Sequence, residues 1–256
     1  MQWTDTGFIL SVKKQGEHAA LAHIFSRDHG LNAGWVNGAF SKANRPTYAP
    51  GNLVELRWQA KLSEQLGTYN CELLSPTAAL VAADRVRLAL LNAACSMVEA
   101  TLPEREPHQK LFHAFSQFIA ILTEKHEDAM PQHDEQVAQA YLMFEKSLLA
   151  DLGFGLDLST CALTGKTENL YYLSPKTGRA CSKDAGARHA EQLFVIPRCF
   201  LIFESAGLLP ETLEGLKITG HFLNQWVFEP RNKAFPQARA QMLDTLKRHA
   251  ARELQA

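Results

Sequence analysis

The chain has few cysteines, no long apolar run and almost no net charge, and each shortage removes a class of protein. Five cysteines (Cys71, Cys95, Cys161, Cys181, Cys199) in 256 residues are too few and too scattered for a disulfide framework, which points to a reducing compartment. No apolar stretch approaches the ~20 residues that a helical membrane span needs. The first residues run to Asp5 with neither a basic region nor an apolar core, so no signal peptide is expected and a cytoplasmic location is. A formal net charge of −1 argues against indiscriminate coating of nucleic acid. Catalytic signatures are also missing. There is no GxGxxG after a strand, no P-loop lysine and no HExxH. Gly153-Phe154-Gly155 follows a helical pattern instead of opening one, which disfavours a phosphate cradle. His108 and His113 are five apart, off the i, i+4 face of a helical metal pair. No catalytic residue and no cofactor are assigned.

What is present falls into two halves. Gly7–Val12, Ala19–Ser26, Leu31–Val36 and Leu53–Trp58 mix β-branched, aromatic and alternating residues, with Cys71–Leu74 as a possible fifth strand. Breakers separate them at Gly16, His29-Gly30 and Pro50-Gly51. Short strands at this spacing favour a small barrel. After Ser75-Pro76 the period becomes helical. Leu80, Val81, Val86, Leu88, Leu91 and Val98 form one apolar stripe. Leu111, Phe112, Phe115, Phe118, Ile119 and Ile121 form a second, over about 106–125. Asp128 to His133 is a polar break. A third helix is expected over about 134–152, ended by Gly153. Residues 155–195 read as an irregular insert, followed by helices at Pro197–Ala206, Leu213–Phe228 and Pro236–Leu254.

Charge is unevenly spread. From Arg27 to Lys61 five basic residues stand against two acids, a balance of +3; from Glu229 onward six stand against three, again +3. Either excess reads as a solvated face when taken alone. On a barrel, however, cations for phosphates and flat rings for bases are what a sequence-tolerant strand binder needs. The local candidates are Arg27, Trp35, Lys42, Arg45, Tyr48, Arg57 and Trp58, with Lys13 and Lys14 extending the track. Trp58 reads equally well as barrel core.

The insert carries Cys161-Ala162-Leu163-Thr164 and, twenty residues on, Cys181-Ser182-Lys183-Asp184. A closed CxxC…CxxC zinc site needs four soft ligands, and Thr164 and Asp184 stand where the second thiolates would be. We expect a metal-free insert held by packing, with Thr164 and Asp184 hydrogen-bonding across the turn. Asp184 or His189 would be the extra ligands if zinc were bound.

The flanks of these cysteines resemble a known family. Phe144-Glu145-Lys146-Ser147-Leu148-Leu149 leads through Leu152-Gly153-Phe154 to Cys161; Tyr171-Tyr172-Leu173-Ser174-Pro175 leads through Gly178-Arg179 to Cys181. Upstream come Gly7-Phe8-Ile9-Leu10, Glu17-His18, Phe25-Ser26-Arg27-Asp28-His29-Gly30, Gly38-Ala39-Phe40-Ser41-Lys42 and Pro50-Gly51; Arg85–Leu91 and Arg239–Leu243 complete the order. Over roughly the whole chain this succession is similar to the RecO family of DNA recombination-mediator proteins. The resemblance implies an α+β fold. An OB-fold barrel would occupy 1–77 and a mainly helical domain 78–256, with a degenerate zinc-finger-like insert at about 155–195. It implies a bacterial, nucleoid-associated, non-catalytic repair protein that binds single- and double-stranded DNA and anneals complementary strands. With RecR, such a protein helps load RecA onto strands covered by single-stranded-DNA-binding protein (SSB). The acidic SSB tail ends in a phenylalanine and would need an apolar pocket beside a cation. The candidates are Lys110 beside Phe112 and Phe115, and Lys146 beside Phe144 and Tyr141. Two other readings stay open: a metal-dependent hydrolase using residues 161–189, and an OB-fold RNA-binding accessory.

Overall fold

Strand β1 (Gln2–Gln15) is long enough to pair with two neighbours, and this closes the sheet. Its first half pairs with β4 (Leu53–Gln59) and its second with β2 (Ala19–Ser26), with a register shift between Ile9 and Ser11. β3 (Gly30–Asn37) and β5 (Thr68–Ser75) complete a five-stranded barrel in the order β1-β2-β3-β5-β4, in which only β3 and β5 run parallel. That order and its one parallel pair are the OB-type arrangement. The structure, a computed structural model, describes residues 1–16, 19–62, 65–124, 131–201 and 209–253.

Alternation decides what fills the barrel. In β4, Val54, Leu56 and Trp58 are buried while Glu55, Arg57 and Gln59 are exposed. Ile9, Ala22, Ile24, Val36 and Tyr69 join them in the interior. Trp58 is therefore core, with its Nε1 donating to the Leu66 carbonyl at 3.0 Å. Tyr48 is buried too, its hydroxyl accepting from the Cys71 amide. Neither can stack on a base.

Three helices follow: α1 (Thr77–Val81), α2 (Arg85–Thr101) and α3 (Gln109–Thr123). Asp84 caps α2 by accepting from Val86 and Arg87 amides. Arg87 in turn donates to the Leu122 and Glu124 carbonyls, satisfying the end of α3. The phenylalanines of α3 face the barrel, with Phe112 and Phe115 meeting Phe8 and Phe25 at 4.9–6.3 Å between ring centroids. These helices belong with the barrel: one compact unit comprises Met1–Lys125 with Pro236–Thr245, the other His126–Phe235 with Leu246–Ala256.

In the second unit α4 (Pro131–Asp151) ends as expected. Gly153 adopts φ +87°, and Phe154 N–H returns to the Leu149 carbonyl at 2.8 Å. The expected insert is a small three-stranded sheet of β6 (Leu170–Leu173), β7 (Ala180–Ser182) and β8 (Phe194–Val195), in the order β7-β6-β8. Short helix α5 (Lys183–Gly186) follows β7. Of the helix expected at 197–206, α6 (Arg198–Leu201) is described; residues 202–206, residues 128–130 of the expected break and Glu17-His18 lie outside the described residues, while Pro131–His133, expected in that break, instead open α4. α7 (Leu209–Leu223) runs on through a π-turn at Asn224–Phe228. It packs on α4, where the buried Glu145 carboxylate accepts from Tyr141 Oη at 2.7 Å and Thr219 Oγ1 at 2.6 Å. α8 (Gln237–Glu253) closes the chain.

Candidate nucleic-acid interface

Strand register, not sequence order, assembles the candidate surface. Trp35 of β3 lies opposite Thr68 of β5, Thr68 opposite Gln59 of β4, and Gln59 opposite Gln2 of β1. This row lines one groove of about 810 Å³, together with Lys61 and Gln65 from the β4–β5 connection. Trp35 is 37% exposed although it is among the largest apolar side chains of the barrel. An exposed indole in a groove with amides and a lysine is a stacking surface with polar edges. The sequence reading named Trp35 but missed Lys61, Gln59 and Gln65. Lys61 entered only as part of the local basic excess, and nothing in the sequence marks Gln59 and Gln65, because the parallel β3–β5 pairing that gathers them is a tertiary event.

The other basic candidates lie apart from this row. Lys42 and Arg45 sit on the 38–52 connection, which is coiled by the Arg45 amide donating to Ser41 and by Asn44 Nδ2 reaching the Gly38 carbonyl. Both are exposed, and Phe40 beside them is 51% exposed. Ring and cations thus recur on a tied-down loop. Arg57 points outward from β4, opposite Thr4 and Asn70. Lys13 pairs with Glu99 at 2.9 Å, and Lys14 is exposed on the next position of β1. Arg27 bonds Asp28 through Nε and Nη2, which holds the Asp28 carboxyl below its ordinary value and raises the guanidinium's. Arg27 therefore carries its own counter-ion.

In the second unit, the rings expected beside Lys146 are core: Tyr141 and Phe144 are buried. Lys146 itself is half-buried. Its ammonium donates to the Phe200 carbonyl at 3.3 Å and lies 5.3 Å above the Phe200 ring, and burial lowers its pKa. Leu201, which follows Phe200 in the chain, is 45% exposed. Lys110 is exposed at the start of α3, but Phe112 and Phe115 face away into the barrel packing. No apolar pocket forms around it from those rings.

The cysteine pair has an unexpected arrangement. Cys161 Sγ accepts from the Ser182 amide at 3.2 Å and lies 3.6 Å from Ser182 Oγ. The Thr164 hydroxyl, these Ser182 groups and the Leu163 amide together draw the Cys161 thiol down to about 6 against the pull of burial. Cys181 is shifted the other way, raised by burial and by the neighbouring Cys161. Asp184 is exposed on α5 and makes no bond to the cysteines among the described residues; Ser182 takes the place expected for it. No group of three His, Cys, Asp or Glu side chains converges among the described residues.

A closed five-stranded barrel with an exposed indole in a polar, lysine-bearing groove, joined to a mainly helical second unit, places the chain among proteins with an OB-type domain. Residues 1–77 match the family Recombination protein O N terminal, and residues 82–234 match Recombination protein O C terminal. Full-length relatives agree. The DNA repair protein RecO of Rhodospirillum centenum is 45% identical over 247 residues, 95% of this chain and 94% of that one. The proteins of the same name from a Ruegeria species and from Caulobacter vibrioides are 41% and 39% identical, covering 97% and 96% of this chain and 99% and 98% of their own. The chain belongs to the RecO family of DNA repair proteins. Among the described residues, no helix is long and apolar enough to cross a membrane.

Proposed function

We propose that the protein is a non-catalytic recombination mediator. Its barrel, residues 1–77, binds single- and double-stranded DNA, it anneals complementary strands, and with RecR it helps load RecA onto SSB-coated DNA. The observation that carries this reading is the exposed Trp35 in the groove with Lys61, in a chain of the RecO family. The physical task of annealing is to offset phosphate repulsion between two strands while leaving base edges free to pair. A surface with scattered cations and one stacking ring does this without bond-making chemistry. Lys42, Arg45, Arg57, Lys13 and Lys14 extend the phosphate-binding area around the barrel. The acidic SSB tail docks in the helical unit, where the Lys146 ammonium meets the tail carboxylate and Leu201 the terminal ring.

The test is an annealing assay with complementary labelled oligonucleotides, free or pre-coated with SSB, without nucleotide or metal. The protein should accelerate annealing of both, and with RecR it should relieve the SSB block to RecA assembly. Failure to bind or anneal naked strands would overturn the reading. A clear preference for RNA would replace DNA with RNA as the ligand.

A further inference from the structure

The mouth of the barrel holds a second aromatic feature that the DNA-binding groove does not explain. Trp58, Trp3 and His29 form a pile of three rings running outward from the core. Trp58 and Trp3 are 5.5 Å apart at 16°, and Trp3 and His29 are 3.9 Å apart at 6°. The innermost ring is buried, and the outermost, His29, has 37% of its side chain exposed. Because Trp3 covers one face of the imidazole, the exposed surface is the opposite face and the Nε2 edge. That surface borders a cavity of about 510 Å³ whose wall includes Asn32, Arg105 and Pro107.

The histidine is held as few surface side chains are. Asp5, with its side chain fully buried, accepts from His29 Nδ1 at 3.0 Å, from the Asp28 amide at 2.8 Å and from the Thr6 amide at 2.7 Å. A buried carboxylate needs such donors. Asn32 Nδ2 donates to the His29 carbonyl at 2.6 Å, and Gln109 ties Asp28 down from α3. Gly30, at φ +68°, lets the Glu106 backbone approach so closely that a Cβ there would lie 1.9 Å from its carbonyl oxygen. With Nδ1 bonded to Asp5, the imidazole leaves its Nε2 edge toward the cavity. Among the described residues Nε2 has no hydrogen-bond partner. A turn latch would need only the Asp5 bond to the Asp28 amide. It would not need an imidazole stacked nearly parallel on a tryptophan.

The cavity adjoins the Trp35 groove. Met1 and Gln2 line both, and Arg105, at φ +64° on the far wall, donates through Nη2 to the carbonyl of Gln65 in that groove. We infer that His29 is a stacking platform for one nucleobase of the bound single strand, a subsite next to the Trp35 groove with Arg105 at its rim. This rests on the DNA-binding reading above. Rigidity favours it, since a ring already immobilised by Trp3 and Asp5 loses little freedom when a base is added.

The experiment compares wild type, His29→Ala and His29→Tyr by fluorescence anisotropy. The probes are a thymidine homopolymer and a fully abasic strand of equal length, each titrated over a salt series. Thermal melts of all three proteins run alongside. For the homopolymer, His29→Ala should weaken binding by about 5- to 100-fold, the worth of one base–aromatic stack. His29→Tyr should stay within about threefold, because it keeps the flat ring. The salt slope should not change, since stacking on a base makes no phosphate contact and releases no counterion. On the abasic strand His29→Ala should equal wild type. Wild-type affinity of folded His29→Ala for the homopolymer would overturn the subsite and leave the Trp35 groove standing. So would an equal loss on the abasic strand, or a slope lowered by about one, which marks a phosphate contact. If His29→Ala melts early, His29→Phe takes its place: it keeps the stack without the Asp5 bond, and a loss of binding by folded His29→Phe overturns the proposal. Failure of wild type to bind the homopolymer at all would overturn this inference together with the DNA reading.

Discussion

Thr219 Oγ1 donates to the fully buried Glu145 carboxylate at 2.6 Å, joining α7 to α4 inside the helical unit. Tyr141, one turn before Glu145, donates to its other oxygen. Replacing Glu145 with Leu removes the acceptor that both hydroxyls use. Stripping buried donors of an acceptor costs roughly 1–3 kcal/mol each, so we expect a loss of about 2–4 kcal/mol in urea unfolding. Glu145→Gln, which keeps one oxygen, should lose less. Adding Thr219→Val to Glu145→Leu should recover part of the deficit. Equal stability of Glu145→Leu and wild type would show that the carboxylate is not integral to the packing.

Cys161 gives a pH signature. Its thiol ionises near 6 in the folded chain against an ordinary value of 9.0, because Thr164 and Ser182 hydrogen bonds favour the thiolate. Between those values the unfolded chain binds more protons than the folded one, so this contribution rises with pH through the window. It is complete above about 9 and lost as pH falls through about 6. The melting-temperature difference between wild type and Cys161→Ala should therefore grow from pH 6 to pH 9. Parallel curves would contradict the lowered value. The same bonds occupy the sulfur that a metal would need. Purified protein should hold well under one zinc per chain, and a chelator should leave its melting temperature unchanged. A structural zinc contributes on the order of 10 kcal/mol, so its removal would be plain.

The loop pair Lys42 and Arg45 should act through phosphates. Their joint replacement by Ala should weaken binding evenly across sequences and flatten the salt slope by roughly one unit per lost contact. Trp35→Ala should behave differently, losing affinity at every salt concentration with the slope intact. A folded Lys42→Ala/Arg45→Ala protein with unchanged slope would move the phosphate track elsewhere, most simply to the basic C-terminal helix.

The two tail candidates are now unequal. Lys146 lies over the Phe200 ring, with exposed Leu201 the next residue in the chain, whereas the rings near Lys110 are consumed by the barrel. In titrations of a labelled SSB-tail peptide, Lys146→Glu should weaken binding more than tenfold, as a charge-assisted bond is worth about 1.5–3 kcal/mol. Lys110→Glu should match wild type, with DNA binding as the control for both. The reverse ranking would return the pocket to α3.

The sequence by itself determined the elements. Alternation in Leu53–Gln59 specified a strand with one wet face, and all five strands form at or around the segments read as strands. The apolar stripe of α3 and the glycine after α4 specified those helices, because both signals are local. Trp35 and Trp58 are alike as residues; Trp58 takes an inward position of β4 and Trp35 an outward one of β3, and pairing between distant strands decides which face is inward. The groove partners of Trp35 come from three other strands and the β4–β5 connection. Asp5 and His29 are 24 positions apart and gain meaning only when β1 meets the β2–β3 turn. In the insert, Cys161, Thr164, Cys181 and Asp184 read as a lapsed metal quartet. Folding chose Ser182 instead of Asp184, because the turn aims its amide at the sulfur while Asp184 sits on an outward helix. Local pattern decides what an element is; only closure of the chain upon itself decides which side chains converge, since that is set by register and packing between segments far apart in sequence.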